Sequence, residues 1–289
     1  MSETPGKGTY ALNSESPMEM TRLIEQYRRV SQAMGGPFAG LPELPEGANV
    51  LDLACGPGSW VLDIAFARRD IQVAGADISK IMIEYANARA RTQGLTNASF
   101  GIMDISEPLD FSDESFDLIN ASGLIAVLKQ DKWRPFIAEC TRLLRPGGSL
   151  RMIEPYDFGV TNSVAIERIQ ALSTQMLRKL GYGFSVDGRT FGLAHTLPGL
   201  LRESGYVNTQ PLIYPVEFSF DQPAWVDFYH NYQIAYQQSK AGWVHFGFVT
   251  SEEFDQLYQQ MIIDMNQEDF RGMSATFCLI GEKASRTGI

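Results

Sequence analysis

Residues 49–60 read Asn-Val-Leu-Asp-Leu-Ala-Cys-Gly-Pro-Gly-Ser-Trp. An apolar run passes straight into a glycine-bearing turn, and helix-forming sequence follows. Glycines in such a turn let the backbone swing tightly and approach a ligand with no Cβ in the way. The helix beyond it presents N–H groups that lack intrahelical partners. The spacing excludes two common phosphate loops. Ala54, Gly56 and Gly58 give A-x-G-x-G, a poor match to the dinucleotide pattern G-x-G-x-x-G. No Gly-Lys-Ser/Thr follows, so the turn is not a Walker loop either.

The residues around this turn set the fold class. From Ala48 to Glu154, strand-like runs at 49–54, 72–77, 98–104, 116–121 and 149–154 alternate with helix-like runs near 59–68, 79–93, 125–128 and 131–143. Buried strands alternating with amphipathic helices predict a parallel sheet covered on both faces. Polar residues fall where the strands end: Asp77, Asp104 and Asn120. The carboxyl edge is where open α/β sheets bind ligands, and an acid ending the second strand is placed to accept from ribose hydroxyls.

In front of this core, residues 1–16 are polar, and 17–34 predict a helix with Leu23, Ile24, Tyr27, Val30 and Met34 on one face. Ser16 and Glu19 have the spacing of a capping box. Behind the core the rhythm changes. Helix-like stretches at 163–180, 196–204, 223–239 and 251–265 are interleaved with an extended run at 207–220 and a last strand at 274–282. The organisation expected is a tail and capping helix (1–47), a core (48–155), a lid insertion (156–195), a core helix and strand (196–220), a second helical insertion (221–272) and a final strand with its tail (273–289).

Taken in order, Asn49-Val-Leu-Asp-Leu-Ala-Cys-Gly-Pro-Gly, Ala76-Asp77-Ile78-Ser79, Met103-Asp104-Ile105, Phe116-Asp117-Leu118-Ile119 and Leu143-Leu144-Arg145-Pro146-Gly147-Gly148 resemble the successive motifs of class I S-adenosylmethionine (SAM)-dependent methyltransferases, of the kind called UbiE-like or type 11. Ala54 stands where that family often has Gly. The resemblance implies a Rossmann-like α/β fold: a seven-stranded, mostly parallel sheet with helices on both faces, helical lid insertions and an N-terminal helix. It also implies SAM as cofactor and S-adenosylhomocysteine as product. By the same resemblance, Gly56 and Gly58 let the loop pass under the methionine moiety, beside Ala54 and Cys55. Asp77 holds the ribose hydroxyls, Ile78 and Met82 pack on the adenine, and Asp104 with the Ile105 backbone meets its amino group. The Asn120 or Ala121 backbone meets the ammonium, and Asp52 orders the loop from behind. Tyr10 and Met20 lie where relatives place a closing segment.

Methyl transfer is an in-line displacement at an already activated carbon, so alignment and exclusion of water are the main requirements. A general base is needed only for a nucleophile that must lose its proton early, and no metal is required. The base candidates are His195 and His245, set among Gly and aromatic residues, and Glu154 at the end of the fifth strand. The insertions are rich in rings, of which Tyr156, Phe184, Tyr229, Trp243 and Phe246 are substrate-site candidates. Such a pocket suits an apolar or aromatic small molecule, although rings of this kind also build a lid's own core.

A net charge of −10 makes nucleic acid a poor expectation for the partner. No apolar stretch long enough to span a membrane and no signal-peptide pattern is present. The three cysteines are scattered and form no CxxC pair. These features point to a cytoplasmic enzyme. Apolar faces on the added helices offer surfaces on which a homo-oligomer could form. Two readings compete with a small-molecule methyltransferase: a methyltransferase of RNA or protein, and a SAM-binding protein that transfers no methyl group.

Overall fold

The computed structural model describes residues 17–285. Helix α1 (Pro17–Met34) leads through a connector to β1 (Asn49–Leu53). The core then runs α2 (Ser59–Ala67), β2 (Gln72–Asp77), α3 (Lys80–Thr92), β3 (Ala98–Ile102), β4 (Phe116–Ser122), α4 (Trp133–Leu143) and β5 (Leu144–Pro155). Beyond it lie β6 (Val160–Thr161), α5 (Val164–Lys179), α6 (Leu193–Glu203), β7 (Tyr206–Glu217), α7 (Trp225–His245), α8 (Ser251–Met265) and β8 (Gly272–Lys283). No helix among the described residues is long and apolar enough to cross a membrane.

One mixed sheet of eight strands carries the order β3-β2-β1-β4-β5-β8-β6, with β7 on the other edge of β8. The five strands of the core are parallel. β8 runs antiparallel to both β5 and β7. The eighth strand is β6, two residues that extend the β5 side of β8 through Val160 and Thr161. A segment that short shows no alternation, which is why seven strands are what the sequence leads one to expect.

Alternation of side chains assigns the two faces. Leu51, Leu53, Ile119, Ala121, Leu150 and Met152 pack with Trp133, Phe136 and Ile137 of α4 and Leu193, Leu197 and Leu201 of α6. On the other face, Val50, Val73 and Leu118 pack with Val61, Leu62 and Ile64 of α2, while Met34 of α1 meets Ile153 and Cys278. A separate aromatic cluster joins α5, α7 and α8 around Phe218, Tyr232, Tyr236, Trp243 and Phe254.

Several boundaries differ from expectation, and three of them have a cause the structure shows. β5 starts at Leu144 rather than 149, because the Arg-Pro-Gly-Gly stretch stays in the ladder through an irregularity between Phe116 and Leu118. α6 starts at Leu193, where Gly192 at φ 72 turns the chain into the helix ahead of Pro198. α7 runs on past 239 to His245. Gly242 reads as a helix breaker, yet a Cβ there would sit 2.6 Å from Met176 Cε, so its missing side chain lets α5 and α7 approach.

Candidate functional site

The site is built where β1, β2 and β4 end. After Leu53 the backbone turns through three left-handed residues, Ala54 (φ 57), Gly56 (φ 52) and Gly58 (φ 75). The turn is sewn to its neighbour by Cys55 N–H donating to the Ala76 carbonyl, and closed by Gly58 N–H donating to Cys55 O. The two glycines differ in what they face. A Cβ on Gly58 would meet Phe100 Cε1 at 2.5 Å and Ala86 Cβ at 2.8 Å, so this glycine is demanded by packing against β3 and α3. Among the described residues, a Cβ on Gly56 would find only Leu23 Cδ1, at 3.7 Å. Gly56 therefore marks the side of the loop that a ligand can approach, with α1 above it.

Asp77 is fixed beside that loop. Its Oδ2 accepts from Gly56 N–H at 2.8 Å and its Oδ1 from Ser79 N–H at 2.9 Å. Ser79 caps α3 by accepting from Met82 N–H. The half-buried carboxylate is thus held in one orientation by two backbone donors. Ile78 beside it is 41% exposed, an apolar side chain at the mouth, whereas Met82 is buried. Asp104, half-buried at the next strand end, accepts from the backbone N–H and hydroxyl of Ser106. Ile105 is buried in the core.

Beneath the turn a polar row crosses the sheet. Asp52, Asn120 and Arg151 are register partners on β1, β4 and β5. Asn120 Nδ2 donates to Asp52 Oδ1 at 2.7 Å, and Arg151 Nε donates to Asn120 Oδ1 at 2.8 Å. Burial pushes the Asp52 carboxyl up to about 7, against the pull of Asn120 and Arg151. Burial also raises the Cys55 thiol well above its ordinary value, with Asp52 and Asp77 adding to the shift, so Cys55 stays a neutral thiol. Glu154, 1% exposed, accepts from Leu124 N–H at 2.7 Å and Ile125 N–H at 3.1 Å. Burial moves its carboxyl up to about 8. With both oxygens engaged, it anchors the 3-10 turn at 124–126 that follows β4, which is not the posture of an open base.

Helix α1 roofs this edge. Besides Leu23 over Gly56, Gln26 Nε2 lies 3.8 Å from the Cβ position of Gly123. α1 is clamped to α2 by Tyr27 O–H donating to Asp63 and to α7 by Arg22–Asn231 and Arg28–Asp227 contacts. Met20 on α1 is half-buried, and Tyr10 lies outside the described residues.

The helical insertions are largely closed on themselves. Trp243 is 2% exposed and packs on Tyr236 and Phe254. Tyr229 stacks on Trp225, and Phe246 lies beside His245 and Lys179. Tyr156 is 41% exposed just past the end of β5. Phe184 packs on Trp133 and lines an open cleft of about 670 Å³ with Lys129, Arg134 and Thr196. His195 and His245 are both exposed, at the start of α6 and the end of α7. The structure therefore brings together Asp52, Ala54, Cys55, Gly56, Asp77, Ile78, Asn120 and Ala121, but does not bring the five rings into one pocket. A cleft of about 860 Å³ opens between α5 and α8, lined among others by Arg168, Glu253 and Asp264. No strand end of the core contributes to it, so the chemistry of the site is not there.

Leu23, Gln26 and Arg151 are members of this edge that sequence reasoning passed over. Arg151 carried a signal: it is a cation inside the apolar run Ser-Leu-Arg-Met-Ile, and a buried charge needs partners.

Residues 50–148 match a family profile described as a methyltransferase domain. Methyltransferase GfsG of Streptomyces halstedii is 31% identical over 137 residues, 46% of each chain. The 27-O-demethylrifamycin SV methyltransferase of Amycolatopsis mediterranei is 35% identical over 116 residues, 40% of this chain and 41% of its own length. The match thus spans less than half the length of these relatives. In fold, this chain is similar to phosphoethanolamine N-methyltransferase 2 of Haemonchus contortus, solved in complex with S-adenosyl-L-methionine. The TM-score is 0.54 at 15% identity, covering 93% of this chain and 57% of that one.

Proposed function

We propose that this chain, whose residues 50–148 match a methyltransferase domain, is a class I SAM-dependent enzyme that transfers a methyl group from SAM to a small, apolar or aromatic molecule. The observation that carries the reading is the pairing of Gly56, open on its ligand side, with Asp77 locked next to it by two backbone donors. A loop with no Cβ in the way and a fixed acceptor fit a cofactor that has both hydroxyls and a bulky chain.

When bound, the cofactor supplies a methyl group on a sulfonium sulfur, activated for in-line displacement. The protein's part is to hold and orient. Asp77 accepts from the ribose hydroxyls, and Ile78 offers its exposed apolar surface to the adenine. Asp104 and the Ile105 backbone face the adenine amino group, and the backbone of Asn120 and Ala121 faces the ammonium. Asp52 steadies the turn through Asn120. Helix α1 shields the loop from water, which strengthens these polar contacts. Gly58 belongs to the support of the loop rather than to its ligand surface.

Two observations favour a small acceptor. The net charge of −10 repels phosphate backbones, and one relative is named for a small molecule, 27-O-demethylrifamycin SV. Tyr156, exposed beside the strand ends, is the first ring such an acceptor would meet. Incubating the full chain with methyl-labelled SAM and a fractionated cell extract tests the reading. Label in the small-molecule fraction supports it. Label confined to RNA or protein replaces the acceptor class, and SAM bound without turnover leaves only a binding protein.

A further inference from the structure

Arg151 reaches beyond the polar row. While its Nε holds Asn120, its Nη1 donates to the carbonyls of Pro37 at 3.1 Å and Ala39 at 3.0 Å. Those carbonyls belong to the connector between α1 and β1. Trp60, two residues past Gly58, donates its indole N–H to the same Pro37 carbonyl at 2.9 Å, and its ring lies under the Arg151 guanidinium. The connector is a short tight segment of its own, with Gly35 and Gly36 at positive φ and Ala39 and Leu41 N–H groups donating to Gly36 and Phe38. Arg151 is 2% exposed. A cation this deeply buried costs free energy unless each donor is used, and a nonpolar side chain in the apolar strand would fill the space more cheaply.

We infer that Arg151 is a positioning residue that couples the seating of the N-terminal cap to the cofactor edge. The inference rests on the reading of that edge as a SAM site. The path is contiguous. Met34 at the end of α1 packs on Ile153 and Cys278. The connector that follows is pinned by Arg151, and Arg151 holds Asn120, which holds Asp52 two residues before Ala54. The other half of α1 lies directly over Gly56 and Gly123. The cap is therefore fastened twice to the same edge, once from above through Leu23 and Gln26 and once from behind through Arg151. A ligand that orders the Gly56 turn and the end of β4 would tighten the polar row, and through it the connector. Coupling of this kind is reciprocal.

Hydrogen exchange at the Ala39 and Leu41 amides of the full chain, with and without SAM, reads this coupling directly. Calorimetric titration of SAM runs alongside. In the wild type, SAM is expected to slow exchange at both amides. In Arg151→Met, which keeps the bulk but drops every donor, SAM affinity is expected to fall about 2- to 30-fold, and exchange at the connector becomes independent of SAM. Arg151→Lys keeps the charge and guards against a Met variant that fails to fold. One ammonium cannot serve Asn120 and both carbonyls as the guanidinium does, so partial uncoupling is expected. A merely structural arginine would lower the melting temperature and leave the SAM-dependent protection at Ala39 and Leu41 intact. Full protection in either variant, with wild-type affinity, would overturn the coupling. A wild type that binds no SAM would instead sink the cofactor reading. The coupling is then judged without ligand: connector exchange in Arg151→Met no faster than in the wild type would overturn it too.

Discussion

The edge where β1, β2 and β4 end and the helical layer of α5, α7 and α8 are held together by different physics. At the edge, short side chains and backbone groups are matched one to one: Asp77 with Gly56 and Ser79, Asn120 with Asp52, and Glu154 with Leu124 and Ile125. In the helical layer, rings lean on rings, with Phe218 stacked on Phe228 at 4.1 Å and Trp243 edge-on to Phe254 at 5.6 Å. Hydrogen bonds are directional and tie function to particular atoms. Ring packing is tolerant and ties stability to volume. Substitutions at the edge should therefore change binding more than folding, and those in the layer should do the reverse.

The largest effect belongs to the layer. Trp243→Ala should destabilise the fold by about 3–5 kcal/mol, the range for emptying a buried ring site, measured by urea unfolding. A loss below about 1 kcal/mol would mean the ring borders open space and serves a ligand. Next comes Asp77→Ala, expected to weaken SAM binding by about 1.5–3 kcal/mol, or roughly 10- to 100-fold, with a small change in unfolding. Wild-type affinity in that variant would remove Asp77 from the site.

Glu154 tests the edge through pH. Its folded carboxyl, raised to about 8 from an ordinary 4.5, favours the protonated form in the folded state. Its contribution to stability is thus fully present below about 4.5 and is lost as pH rises through 8. Asp52, raised to about 7, acts in the same direction. Stability measured by denaturant should decline from pH 5 to pH 8, and Glu154→Gln should flatten that decline. An unchanged slope would contradict the buried-anchor account. The smallest effects are expected at His195→Ala and His245→Ala. Both residues are exposed, so stability should stay within about 0.5 kcal/mol. A drop in turnover of more than about 100-fold in either would identify a general base.

The same contrast governs how far the sequence could be read. The strand ends were legible because each motif couples a local conformation to a residue type, as with the left-handed Gly56 or the acid closing β2. The layer was not, because Trp243, Tyr229 and Phe246 look alike in sequence whether they face a ligand or each other, and only packing separates them. Gly58 was readable as a required glycine but not for its reason, since Phe100 comes from 42 residues further along the chain. Gly242 works in the opposite sense: a residue that ordinarily weakens helices allows α7 to lie against Met176. Arg151 was passed over: its one signal is a charge in an apolar strand, and its partners in the connector, Pro37 and Ala39, are backbone carbonyls that no side-chain pattern reveals.

We propose that the Gly56–Asp77 edge holds SAM for transfer to a small acceptor. Methyl-labelled SAM, incubated with the full chain and fractionated extract, tests it most directly, with Asp77→Ala as the paired control. Label is expected in a small-molecule product and should fall sharply with the Asp77 variant. Label that appears only in RNA or protein, or that is insensitive to Asp77, would contradict it.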